Sequence, residues 1–198
     1  MKKFVSVLCV AALSCSIASS VMAAPSIGPI VPYDPVVSES VFPEGSKVVF
    51  TVANADSYKS ELAKKAVKYF NENPEPKYMK EFLEICGLDP EGEFKTTDGD
   101  EFDPGDYEFI SAFSDLALEQ DGENTYDFDL EEDMTLTFRS DVVKGTEAEN
   151  LLICQIDDAA EEVLWIPVDE IDPVAGKVTA DFPAFGPFAI LEKTAHAE

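Results

Sequence analysis

The chain has 198 residues, with 14 Lys and Arg against 40 Asp and Glu and a formal charge of −26, and its sequence pI is near 4.1. Such a charge repels polyanions, which argues against nucleic acids and anionic membrane surfaces as partners. The hydrophobic share of 45% belongs to a chain that folds rather than to a compositionally disordered one.

The first residues read as an export signal. Lys2 and Lys3 precede an uncharged, mostly apolar run from Phe4 to Ser20, and Val21-Met22-Ala23 ends on a small residue before Ala24-Pro25. A positive start, an apolar middle and a small-residue exit make a secretory signal peptide, predicted as residues 1–23 with cleavage after Ala23. Two other readings exist. One is a membrane anchor, for which the run sits at the short limit of a span. The other is a lipoprotein acylated at Cys15, for which Ala12 stands where a large aliphatic residue is wanted. Cleavage after Ala23 predicts a secreted, extracellular product with no remaining membrane span. It also removes two lysines and no acid, leaving twelve basic residues against forty acidic ones, a charge of −28.

Residues 24–45 carry Pro25, Pro29, Pro32, Pro35 and Pro43 and little periodicity, which predicts an extended leader. Lys47 to Ala53 is β-branched and aromatic between Gly45 and Asn54, a strand. A first helix follows, with Asp56 or Ser57 as its cap and Tyr58, Leu62, Ala66, Val67 and Phe70 at helical spacing; Asn73-Pro74 ends it. A second helix runs from about Glu75 to Cys86, with Tyr78, Met79, Phe82, Leu83 and Cys86 on one face, and stops at Gly87. Seven of the twelve remaining basic residues lie between Lys59 and Lys95. Residues 88–106 read as a loop rich in Asp, Glu, Gly and Pro.

From Tyr107 the pattern becomes β. Tyr107 to Leu118 is apolar enough for a strand, and Asp121-Gly122 marks a turn. Tyr126, Phe128, Leu130, Met134, Leu136 and Phe138 alternate with Asp127, Asp129, Glu131, Asp133, Thr135 and Thr137, the pattern of a sheet with one buried and one wet face, with a break at Glu131-Glu132-Asp133. Leu151 to Ile156 is apolar without alternation, a strand covered on both sides. Val163 to Val168 contains Pro167, which favours an edge or a strand end. A turn at residues 172–176, an alternating Lys177–Phe182 and an apolar Phe185–Leu191 complete the series. The expected fold class is α+β: two short helices followed by an antiparallel, immunoglobulin-like β-sandwich. The expected divisions are 1–23, 24–45, a strand and helical pair at 46–95, a sandwich module at 96–193, and a tail at 194–198.

The C-terminal order is a TLTF strand, Lys144-Gly145, LLICQID, VLWIPV, GKVTADF and a terminal FPAFGPFAIL. It resembles the small C-terminal β-sandwich modules of secreted and surface proteins of Gram-positive, often gut, bacteria. Those modules commonly close on a phrase such as F-S-P-F/Y-A-I/V after a G-x-V-T-x-x-F strand. Here Phe185-Gly186-Pro187-Phe188-Ala189-Ile190 holds that place, with Gly186 where Ser is usual. The resemblance covers roughly residues 107–193 and implies fold and location rather than a ligand. The His-Phe-Ser at which related eukaryotic modules cleave themselves is absent, so self-cleavage is not implied.

Few residues offer chemistry. His196, the one histidine, is the third residue from the end of the tail, a poor place for the base that a Ser or Cys nucleophile needs. There is no GxGxxG and no GxxxxGK[ST], and a single Arg139 limits phosphate or carboxylate clamping. Carboxylates are abundant enough for a glycosidase-type pair. The candidate metal site is the loop carrying Asp98, Asp100, Asp103 and Asp106, since Ca²⁺ takes oxygens from short acidic loops. Its register departs from an EF-hand, because counting from Asp98 puts Phe102 at the fifth position and Asp103 where Gly is required. The acidic face of Asp127, Asp129, Glu131 and Asp133 is a second place for cations to gather. Cys86 and Cys154, the two cysteines beyond the signal, fit either one disulfide or two buried thiols. The expected function is therefore a secreted, non-enzymatic binding or structural protein with no catalytic residues. Its partner would be extracellular and either cationic or associated with the cell wall. A carboxylate-based secreted hydrolase and a calcium-dependent adhesion module are the alternatives.

Overall fold

Two apolar runs organise the molecule. Leu151–Asp157 (β9) and Gly186–Lys193 (β13) each bury six consecutive residues, and they pair antiparallel with Ala189 opposite Cys154 and Phe188 opposite Gln155. A strand alternates only when one face is wet; these do not alternate because both faces are covered. The computed structural model describes residues 36–37, 42–72 and 79–194. The predicted signal peptide, most of the leader, the start of the second helix and nearly all of the tail lie outside the described residues.

In chain order the remaining elements are β1 (Val36–Val37), β2 (Lys47–Val52), α1 (Glu61–Glu72), α2 (Met79–Cys86), β3 (Phe94–Lys95), β4 (Glu101–Phe102), β5 (Tyr107–Phe109), β6 (Ser114–Gln120), β7 (Glu123–Thr125), β8 (Met134–Arg139), β10 (Glu162–Pro167), β11 (Glu170–Asp172) and β12 (Lys177–Phe182). A central seven-stranded sheet runs β10-β9-β13-β6-β2, with β5 also on β13 and β7 also on β6; a second sheet runs β1-β8-β12-β11. The pairings are antiparallel throughout. The result is an α+β, sandwich-like arrangement.

The rings show which layer covers which face. On one side of the central sheet Phe188 and Phe50 meet Phe138 and Phe182 of the second sheet, with centroids 5.3 Å apart for Phe182–Phe188 and 5.4 Å for Phe50–Phe138. On the other side Phe70 of α1 lies 4.8 Å from both Phe109 and Phe113, and Phe82 of α2 lies 6.3 Å from Trp165. Tilted and edge-on pairs of this kind contribute roughly 0.5–1.5 kcal/mol each beyond the area they bury. The predicted 46–95 and 96–193 segments share this single core, since β2 pairs along β6 and both helices pack on the sheet.

Four expectations need correction. The first helix is not capped by Asp56 or Ser57, which lie in a short 3₁₀ turn that Asn54 caps. Its cap is Ser60, whose Oγ accepts from the N–H groups of Leu62 and Ala63. Tyr107–Leu118 is not one strand. The N–H groups of Ile110 and Ser111 both donate to the Ile190 carbonyl while Ser111 Oγ accepts from Ile190 N–H, a bulge that splits the run into β5 and β6. The 126–138 alternation is a strand only over Met134–Arg139; from Tyr126 to Asp133 it is a loop. The 88–106 loop contains the small β3–β4 hairpin. Other expectations hold. The second helix stops at Gly87 (φ +75°), with Leu88 N–H donating to Leu83 C=O and Gly87 N–H to Glu84 C=O, the double bond of a Schellman ending. Pro167 closes β10, the edge strand of the central sheet.

Gly186 has φ +146°, and a Cβ there would lie 2.1 Å from the Ile156 carbonyl oxygen on β9. Gly186→Ala is therefore expected to lose at least about 2 kcal/mol. Gly99→Ala, at φ +91° in open space, should lose only about 1 kcal/mol. Urea unfolding of both variants checks this, and equal losses would contradict the packing described.

Candidate functional site

The 88–106 segment turns back on itself at Thr96–Asp100. The N–H of Thr96 donates to Asp100 C=O, the N–H of Gly99 to Thr96 C=O, and the N–H of Asp100 to Thr96 Oγ1. The turn pairs Phe94 with Phe102 across β3 and β4. The hairpin is tied to the edge of the central sheet where Thr97 N–H donates to the Trp165 carbonyl at 2.8 Å. Its two rings stand over Trp165, at 6.2 Å for Phe94 and 5.4 Å for Phe102, and Phe102 also meets Tyr107 edge-on at 5.8 Å.

Beside this aromatic cluster is a cavity of about 410 Å³, lined by Pro90, Glu91, Gly92, Glu93, Phe94, Glu101, Phe102, Asp103 and Pro104. Its floor is apolar, with Phe94 and Pro104 buried and Phe102 half-buried, and Glu91, Glu93, Glu101 and Asp103 are exposed around it. Asp103 is oriented by accepting from Gly105 N–H at 2.8 Å. Lys95 lies 3.4 Å from Glu101 on an exposed surface, a contact worth at most about 1 kcal/mol. Four carboxylates against one neighbouring ammonium, above aromatic rings, suit a cation that also has an apolar body.

The structure separates the four predicted metal ligands. Asp103 lines the cavity. Asp106 ends the short 3₁₀ turn that Asp103 caps, and its carbonyl accepts from Thr194. Asp98 and Asp100 lie at the tip of the hairpin, and the charge of Asp98 is felt by Asp169 instead. Among the described residues no three His, Cys, Asp or Glu side chains are grouped to hold a metal ion. On the second acidic stretch, Asp127 pairs with Lys59, and Asp129, Glu131 and Asp133 are exposed. The predicted position of His196 lies outside the described residues.

Sequence reasoning picks out the acidic loop but misses Phe94 and Phe102 as a pair. The usable signal is Asp98-Gly99, a hairpin dipeptide with one aromatic residue at a similar distance on each side.

Among the described residues two carboxyls are raised above the ordinary range. Burial raises Asp115, with the charge of Asp158 adding to the rise and the hydrogen bonds from Tyr126, Tyr58 and Thr51 opposing it; burial, then Asp181 and Asp98, raise Asp169. Neither lines the cavity. A general acid at neutral pH needs a raised carboxyl inside the cleft.

Cys86, at the end of α2, and Cys154, fully buried on β9, are free thiols. Burial pushes the Cys86 thiol up to about 12. Burial also raises Cys154, helped by the neighbouring Cys86.

No family model, curated protein or solved structure matches the chain. Among the described residues no helix is long and apolar enough to cross a membrane.

Thiolates are the reactive form, so Cys86, raised this far, should react on the order of a thousandfold slower near pH 8 than free cysteine, and Cys154 is shielded by its burial. In the chain without residues 1–23, which carry Cys9 and Cys15, an aromatic disulfide reagent is expected to titrate two thiols only after denaturant is added. No thiol even then, with an intact mass two hydrogens short, would show a Cys86–Cys154 bridge instead.

Proposed function

We propose that the chain is an exported, non-enzymatic binding protein that takes a cationic group of an extracellular partner into the acidic, aromatic cavity beside β3 and β4. The observation that carries this is the lining itself: Phe94 and Phe102 below, and Glu91, Glu93, Glu101 and Asp103 around them. A lysine or arginine side chain, or an amine of the cell wall, combines the charge and the apolar stem that such a lining favours. The signal-like N-terminus supports export. The order of strands over residues 107–193 supports an immunoglobulin-like sandwich of the kind carried by Gram-positive surface proteins. The raised carboxyls lie outside the cavity, which favours binding over carboxylate hydrolysis.

Titration with oligolysine, followed by amide chemical shifts, tests this. Shifts are expected to concentrate at Gly92, Phe94, Glu101 and Phe102. The E93Q/E101Q double variant and F102A should each raise Kd about tenfold, which is about 1.4 kcal/mol, while D129N leaves it unchanged. Shifts spread evenly over the acidic surface, with all variants alike, would overturn the proposal.

A further inference from the structure

Two carboxylates are buried where α1 joins the central sheet. Asp115 on β6 and Asp158 between β9 and β10 are each 3% exposed. Between them they hold the three residues, Tyr58 to Ser60, that lead into α1. Asp158 accepts from Lys59 N–H at 3.0 Å through one oxygen and from Ser60 N–H at 2.9 Å through the other. Asp115 accepts from the Tyr58 hydroxyl at 2.8 Å on Oδ1, and from Tyr126 at 2.8 Å and Thr51 at 3.2 Å on Oδ2. Ser60 then caps the helix. The joint therefore collects segments from β2, β6, the loop after β7, the loop after β9 and the lead into α1.

Among the described residues no cation pairs with it. The ion pairs of the described residues involve neither carboxylate. Of the lysines nearest in sequence, Lys59 pairs with Asp127, and Lys64 pairs with Glu61 and acts on Asp158 only through space. Asp158 has two backbone N–H groups and the positive end of α1 to hold its charge. Asp115 has three neutral hydroxyls, and it faces the charge of Asp158.

We propose that Asp115 is the proton-binding half of a latch that fastens α1 to the sheet: a proton on Asp115 tightens the joint, and loss of that proton loosens it. Two like charges buried together disfavour full ionisation; of the groups facing Asp115 (Tyr58, Tyr126, Thr51 and Asp158) none is a cation, and the three hydroxyl bonds, which favour its charged form, offset its burial only in part. Burial raises both tyrosines as well, with Asp115 adding to the effect, so they remain neutral donors. A carboxyl raised in the folded state binds its proton before the unfolded chain does as the pH falls. Its contribution is then fully present below the unfolded pKa and is lost as pH rises through the folded one. Acid should therefore strengthen this joint, opposite in sign to Glu61, Asp141 and Asp172, whose carboxyls are held low.

Urea midpoints of the full chain and of Asp115→Asn, from about pH 8 to about pH 5, test the latch. The wild type is expected to gain on the variant steadily as the pH falls, whereas its difference from Asp129→Asn stays constant. In the same series the hydrogen-exchange protection of the Lys59 and Ser60 amides, corrected for the intrinsic rate, should rise in the wild type and not in Asp115→Asn. A pH-independent difference between wild type and Asp115→Asn would overturn the proposal. If Asp115→Asn does not fold, the carbon-13 titration of the Asp115 carboxyl in the wild type decides. A midpoint above the ordinary Asp range supports the latch, and one at or below that range sinks it.

Discussion

The β9–β13 ladder, buried on both faces, is the constraint from which the rest of the molecule follows. One face is sealed by Phe138 and Phe182 of the second sheet, which stand against Phe188. The other face lies under α1 and α2. Ala189 and Cys154 are small and sit opposite one another there, which lets the helical layer approach. A ladder covered twice has no wet side on which to place charge, and isolated buried charges are costly. The acid of this chain is therefore driven to loops, strand edges and outer faces, where residues 89–106 and 127–133 carry much of it.

That displacement links fold to site. The acidic hairpin at residues 94–102 is held against the edge of the central sheet by the bond from Thr97 to the Trp165 carbonyl, and the same tryptophan supports its two rings from below. The carboxylates that cannot enter the core are thus set beside an aromatic floor that the core supplies. Asp115 and Asp158 are exceptions to the exclusion, and each is retained with every strong acceptor used: hydroxyls for one, backbone N–H groups for the other.

Much of the β architecture was legible in the sequence. The unbroken run LLICQI announced a doubly covered strand, Pro167 announced an edge, and the alternation of Lys177–Phe182 matched its buried face. What was not legible depends on distant partners. Tyr126, Phe128 and Leu130 alternate in burial as a strand would, yet Tyr126 reaches Asp115 with its hydroxyl and Phe128 packs on Phe42 and Phe185, so no ladder forms. Asp56, Ser57 and Ser60 are all competent caps by residue type. The choice of Ser60 is made by Asp158, 98 residues further along the chain. In the cavity, the acid was visible and the floor was not, because Phe94 and Phe102 meet only through the turn between them.

Native-state hydrogen exchange read by mass spectrometry reaches the central claim most directly. If the twice-covered ladder organises the molecule, amides of residues 151–157 and 186–193 exchange only through global unfolding and share its free energy. The helical layer, β11 and the edge of β2 should open earlier. Exchange from β9 or β13 that is faster than from those peripheral elements would contradict it.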